Sequence, residues 1–463
     1  MIKSRGASMP EAHSHLHRGV SLQGAVFALV GYIVGGSIFI LPGALAATTG
    51  PGVFISYLMA CLPALFLCFV GAQIGNALPV SGANCIAVSA VLGPMWGFLL
   101  VWILLAAMLF AIAPLAFGFA DYLAVYLPAL GEHRTLIALG CVVVFWIINL
   151  AGVGTAIGVQ TAMVVVFMTA LFGFGVGGLF AGDLGNLRPI FPNGLDPVVA
   201  AAVPAYYSYS GFMMIVSLGG EVRNPRRNLP LTLLVGFVVI MITYTLVSMA
   251  VPALIHWSEL GEVDAPVSRA AAIFMPPILA QAMTAAALLA IASSINGLLL
   301  AKSRDIYALA AAQVFPSVFG RVGRNRVPGV AVGVIASLAV LGMLARGSFA
   351  QYASLSVLCI MAIQIMAGLV LIRLPTRLPE HFAAATLQLG PGSRWFWGLG
   401  TVALAIFFIL RAVSDNPTSL GLLAGLVATG MLAYRIRKQL LERRGLAIGQ
   451  LLEGDLESAL KTD

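Results

Sequence analysis

Two stretches of this sequence place glycine and hydroxyl residues in the middle of long apolar runs. The first, GYIVGGSIFILPG, carries Gly31, Gly35, Gly36 and Ser37 ahead of Pro42-Gly43; the second, VPAYYSYSGFMMIVSLGG, centres on Ser208, Ser210 and Gly211. Neither centre suits a continuous helix, since an interior glycine costs about 1 kcal/mol relative to alanine. A helix interrupted at such a point frees N–H groups at the start of one half and C=O groups at the end of the other. Those partial charges hold anionic and cationic groups without any ionised side chain. Gly31-x-x-x-Gly35 alone also reads as a helix-contact motif. The pair points further: unpaired backbone at membrane depth survives only against protein or a water-filled cavity, so two interruptions at one depth suit a polar ligand pocket.

Other chemistry is poorly represented. No nucleophile with a base and no HExxH-type metal set stands at a span end, which argues against a membrane-embedded enzyme. The five cysteines (Cys61, Cys68, Cys85, Cys141, Cys359) lie in or beside apolar runs without metal-ligand spacing and read as small core residues rather than disulfides or ligands. His13, His15 and His17 alternate near the N-terminus and could share a face in extended chain, but a polar terminal segment is the plainer reading. No ring of charged residues or repeated filter sequence suggests a channel.

The elements that must position the two stretches are membrane helices. Of 463 residues, 60% are hydrophobic and 9% charged, and the mean hydropathy is +1.00; a water-soluble surface needs far more charge. Apolar runs recur about twelve times, near 22–49, 53–77, 95–127, 135–151, 155–180, 197–219, 231–254, 278–301, 329–346, 349–372, 395–413 and 417–434. The first is too long for a cleavable signal peptide and follows a polar stretch. If the N-terminus is cytoplasmic, 20 of the 25 Lys and Arg fall on the inner side and 5 outside, while the acids divide 9 to 8. Cations alone set orientation, so both termini are predicted cytoplasmic, in a multi-pass protein of the plasma membrane. The net charge of +8 follows this asymmetry and does not point to nucleic acid. All charged residues can be assigned to connections, tails or span ends, so the site is expected to consist of backbone, hydroxyls and aromatics, without the intramembrane carboxylates of a proton relay. From about residue 437 the tail reads as a short surface helix, basic near the membrane and acidic beyond it.

Four segments resemble the amino acid–polyamine–organocation (APC) superfamily of transporters. VGGSIFILPG is similar to that family's Gly-Ser-Gly-Ile-Phe signature, and LPVSGANCIAVSAVLGPMWGFLLVW to its Pro-x-Ser-Gly-Gly segment and Leu-Gly-Pro entry to span 3. The sixth span with GGEVRNPRRNLP resembles the family's helix break and Glu-Val-x-Asn-Pro ending, and SSINGLLLAKSRDIYALAAAQVFP the end of span 8 with its cytoplasmic helix. The resemblance implies a leucine-transporter-type fold: all-α, about twelve transmembrane helices, helices 1 and 6 broken, and five-helix repeats of opposite topology. The repeats would cover 21–180 and 197–373, joined by an extracellular connection at 181–196; a cytoplasmic segment (1–20) precedes them, and helices 11–12 (374–436) and a cytoplasmic tail (437–463) follow.

By that resemblance a substrate carboxylate sits on the amides of Gly35, Gly36 and Ser37, and its amino group faces carbonyls from Tyr207 through Ser208 and Tyr209 to Ser210, before Gly211. Tyr207 falls where the family places an aromatic that closes over substrate, and Ile33, Met108, Met213 and Leu298 complete the implied lining. Ser293 and Ser294 could give hydroxyls to a sodium ion, though serines in membrane helices more often bond to neighbouring helices. Glu221, Arg223, Arg226, Arg227 and Arg304 form the implied cytoplasmic charge network; a plain positive-inside anchor is the other reading of the arginines at 223–227. Three departures from the family pattern bear on specificity and coupling. Gly36-Ser37 reverses the family's order; Met213 replaces an acidic or amide residue, which argues against a cationic substrate; and Phe167 stands where some proton-coupled relatives carry lysine.

These readings predict a secondary transporter, a permease or exchanger, for amino acids, neutral or apolar ones first. Polyamines or other organic amines are the alternative cargo, and a transport-inactive sensor with the same fold is the alternative class. No cofactor or metal is called for. Coupling to Na+ or H+ stays open, with uncoupled exchange requiring the fewest parts. The sequence does not state the oligomeric state.

Overall fold

The computed structural model describes residues 19–80, 82–263, 265–311, 313–323, 327–344, 349–444 and 446. His13, His15, His17 and the acidic part of the tail lie outside the described residues. Apolar runs that must satisfy their backbone internally become helices, and the described chain is helical with no strand. In order the helices are α1 (Leu22–Ile33), α2 (Ser37–Thr49), α3 (Val53–Ala77), α4 (Ala83–Leu92), α5 (Pro94–Tyr126), α6 (Arg134–Leu150), α7 (Val153–Ala181), α8 (Asp196–Tyr209), α9 (Met213–Ser217) and α10 (Pro225–Leu254). They continue as α11 (Pro266–Phe274), α12 (Pro277–Ala311), α13 (Gly329–Gly342), α14 (Phe349–Arg377), α15 (Pro379–Ala384), α16 (Pro391–Asp415) and α17 (Thr418–Glu442). Among the described residues, 10 helical stretches are long and apolar enough to cross a membrane; the first, Leu22–Ala77, includes both α1–α2 and α3, and α4 and α13 are shorter apolar helices outside the ten. This is an all-α multi-pass membrane protein.

The ends of several helices lie beyond the apolar runs, for a physical reason. Hydropathy marks what can lie in lipid, whereas a helix continues as long as its backbone bonds do. α10 begins at Pro225 rather than near 231, since proline at the first helical position lacks only an N–H that would be unpaired anyway. α12 runs through Lys302, Arg304 and Asp305 to Ala311, so the charged stretch expected to open a connection at 302 is helical. α1 starts on a capped turn, with Ser21 Oγ accepting from the Gly24 amide at 3.2 Å.

Two crossings are interrupted. Residues 34–36 separate α1 from α2, and residues 210–212 separate α8 from α9. α3 packs along α10 and α8, while α5 packs against α12, α13 and α14. The broken segments stand among these, with α1 against α10, α12 and α7. An isolated parallel bridge, with Val20 N–H on Glu221 O at 3.0 Å and Arg223 N–H on Val20 O at 2.9 Å, ties the entry of the first broken crossing to the exit of the second. The five cysteines are buried and unpaired.

Candidate functional site

At the first break the backbone turns without regular bonding. The Gly35 amide donates to Ile33 O at 3.0 Å, and the helix resumes where Phe39 N–H reaches Gly36 O at 3.1 Å. The small residues are required by α12: a Cβ on Gly35 would overlap the Ser294 side chain, and one on Gly36 would overlap Ile291. Ser293 Oγ donates to Gly31 O at 2.6 Å and Ser294 Oγ to Tyr32 O at 3.3 Å, so α12 supplies the donors that α1 lacks at its end. The α7 side chains against Gly31 are Gln160 and Val164, one or two turns before Phe167, which is buried in the core.

At the second break Gly211 has φ +134°, a conformation that L side chains rarely adopt, and a Cβ there would overlap the Tyr32 ring of α1. The two breaks thus touch directly. Ser210 caps the end of α8, its Oγ donating to Tyr207 O at 2.7 Å. Tyr207 Oη donates to Ala111 O on α5 at 2.6 Å, closing the space on that side. Tyr244 of α10, wholly buried, holds its hydroxyl 2.9 Å from both Ile33 O and Ser208 O. One hydroxyl therefore joins carbonyls in the last turns of α1 and α8. Its ring belongs to a tyrosine cluster with Tyr57 and Tyr209, at centroid distances of 5.9 and 4.9 Å.

Both breaks border one cavity. Of the sequence-predicted residues, Ile33, Ser37, Met108, Tyr207, Ser210, Gly211, Met213, Ser294 and Leu298 line it. Gly35, Gly36, Ser208, Tyr209 and Ser293 do not: the glycines are pressed on α12, and the others face the surrounding helices. Leu67, Leu104, Ile360 and Ile363 add apolar wall, and Asn84 and Gln364 add amides. The cavity extends from Leu115 and Tyr207 towards Asn84 and Lys302, that is, towards the end of the bundle where α1 begins.

One expectation needs correction. The site is not free of ionised side chains, because Lys302 lines the cavity. The sequence contained the signal: Ser294, Leu298 and Lys302 stand at four-residue spacing on one helix face, but the hydropathy boundary at 301 hid it. Tyr244 was missed for a different reason, since a tyrosine in an apolar run carries no mark of what its hydroxyl meets.

The implied charge network divides in two. Arg304 Nε and Glu221 Oε1 lie 3.5 Å apart, both almost fully buried. Arg304 also donates to Leu300 O at 2.8 Å and Ser303 Oγ at 2.9 Å. Burial pushes the Glu221 carboxyl above its ordinary range, and the Arg304 guanidinium opposes that shift. Arg223, Arg226 and Arg227 are exposed and outside this pair. No group of three or more potential metal ligands occurs among the described residues.

Similarity to other proteins agrees with this arrangement. The chain is 26% identical to the branched-chain amino acid permease BcaP of Bacillus subtilis (strain 168) over 385 residues, covering 78% of this chain and 83% of the relative. It is 25% identical to the methylthioribose transporter of the same organism, over 71% of this chain and 77% of that one. To the vacuolar cationic amino acid transporter 4 of Arabidopsis thaliana it is 28% identical, over 66% of this chain and 56% of the relative. The amino acid permease family matches residues 24–376, a range that contains both breaks and the cavity between them. The chain belongs to the amino acid permease family of the APC superfamily.

Proposed function

We propose that this protein carries neutral, apolar α-amino acids across the plasma membrane by alternating access around the two breaks. The observation that supports this reading most is one cavity bordered by both breaks and walled by Leu67, Leu104, Met108, Met213, Ile360 and Ile363. Such walls suit an aliphatic side chain, and the half-helix ends suit an ammonium and a carboxylate. The carboxylate would meet the start of α2 at Ser37, and the ammonium the half-helix ends near Ile33 and Ser210, which line the cavity. The BcaP relatives, named for branched-chain amino acids, favour leucine, isoleucine and valine as first candidates. In this reading the chain crosses the membrane about twelve times, as two inverted five-helix repeats and two further helices, with both termini cytoplasmic. Tyr207, held to Ala111 O, is then the outer gate and is shut.

Transport is proposed to need no sodium. Ser293 and Ser294 donate to α1 carbonyls, and those bonds hold α1 against α12 directly, the contact that a bridging cation would otherwise make. The test is counterflow in proteoliposomes with labelled leucine, isoleucine and valine beside a panel of other amino acids and amines. Saturable exchange of the branched-chain set supports the proposal; no exchange of any of them sinks it and leaves a transport-inactive sensor.

A further inference from the structure

The relatives are named for neutral and for cationic cargo, so the group that reads charge in this cavity matters. Lys302 is the one formally charged side chain among the lining residues. It stands eight residues after Ser294 on the same face of α12, about 12 Å along the axis from the first break. Its side chain is 13% exposed, whereas that of Asp305 is 1% exposed, and Lys302 Nζ lies 3.5 Å from Asp305 Oδ2. Asp305 is held from behind, with Oδ1 accepting from Ser217 Oγ of α9 at 2.7 Å. The ammonium therefore faces the cavity and the carboxylate faces the protein. The neighbouring Glu221–Arg304 pair is self-contained and does not line the cavity.

We propose that Lys302 is the specificity-determining charge filter of this cavity, excluding cationic amino acids and polyamines while admitting neutral amino acids. The inference rests on the reading of the cavity as an amino-acid site. A cationic side chain entering between apolar walls meets the ammonium before the Asp305 carboxylate that pairs with it from behind, and a neutral aliphatic one meets only the lysine's methylenes. One like-charge encounter at ~10 Å in surroundings of effective dielectric near 20, set against the Asp305 carboxylate about 3.5 Å further on, disfavours entry roughly twofold.

Asp305 makes the proposal testable in a graded way. Replacing Lys302 alone leaves a buried carboxylate beside the cavity, which attracts cations; replacing both residues leaves neither charge. Uptake of labelled leucine and labelled arginine is to be measured in proteoliposomes for the wild type, Lys302→Arg, Lys302→Met and the double variant Lys302→Met/Asp305→Asn. The wild type and Lys302→Arg should strongly prefer leucine. The leucine-to-arginine ratio should fall roughly twofold in the double variant and roughly tenfold or more in Lys302→Met, which leaves the Asp305 carboxylate unpaired. An unchanged ratio across the series overturns the filter. Should Lys302→Met fail to assemble, the double variant and a competition assay on the wild type decide: arginine should not inhibit leucine uptake at concentrations where isoleucine does, and equal inhibition overturns the proposal. A wild type that moves neither amino acid refutes the transport reading itself, which is a distinct outcome.

Discussion

Replacing Tyr244 with phenylalanine isolates the link between the two breaks. The residue is wholly buried, and its hydroxyl is 2.9 Å from Ile33 O and from Ser208 O. Phenylalanine keeps the ring and its packing on Tyr57 and Tyr209, so little volume is lost. What disappears is the donor shared by two buried carbonyls at the ends of α1 and α8. A buried polar group left unsatisfied costs about 1–3 kcal/mol, while hydrogen bonds between membrane helices average about 0.6 kcal/mol and reach about 1.7. A loss of about 1–2 kcal/mol is the reasonable expectation, and if it falls on the bound state it weakens affinity roughly tenfold. The assay pairs the apparent melting temperature of the purified protein with half-saturation of leucine counterflow. Tyr209→Phe is the control: its hydroxyl is equally buried but has no hydrogen-bond partner, so its removal should be neutral or stabilising. If Tyr244→Phe behaves as wild type, or Tyr209→Phe is as damaging, the idea that one hydroxyl ties the breaks is wrong.

Three further outcomes can be checked. Gly211→Val forces a β-branched side chain into φ +134° and into the Tyr32 ring; strain of about 1–3 kcal/mol should reduce leucine uptake more than tenfold, measured against surface-matched protein amounts. Arg304→Met leaves the Glu221 carboxyl buried without a cation and should cost about 3–5 kcal/mol of stability. Adding Glu221→Gln should restore much of it, and thermal unfolding in detergent reads both. Replacing sodium by choline on both sides of the proteoliposome should leave the initial rate of leucine counterflow unchanged, because Ser293 and Ser294 already bond to α1; a rate that collapses would place a cation at those oxygens.

The sequence was most legible where one residue type had one structural use. Gly35, Gly36 and Gly211 marked both interruptions, and α3, with limits of Val53–Ala77, coincides with its apolar run. It was least legible where a residue's role depends on what another helix brings to it. Gly35 reads as part of an anion site or, with Gly31, as a helix-contact motif, and only the proximity of Ser294 shows the latter use. Ser293 and Ser294 carry no mark in the sequence of the α1 carbonyls, Gly31 O and Tyr32 O, to which their hydroxyls donate. Lys302 was concealed by a rule that equates charge with the membrane boundary, although a long side chain on a helix can reach past that boundary into a cavity. Arg223, Arg226 and Arg227 stood in the same charged run as Glu221, yet the buried pair takes its cation from α12, about eighty residues away in sequence.

The central claim is that the ends of the two interrupted crossings hold the cargo, and a cryo-EM structure of the full chain in nanodiscs saturated with isoleucine tests it most directly. The account expects density between Ser37 and Ser210, with the carboxylate at the start of α2, the ammonium near Ile33 and Ser210, and the aliphatic chain against Met108 and Met213. A ligand bound away from both breaks, or α1–α2 and α8–α9 refined as continuous helices, would contradict it.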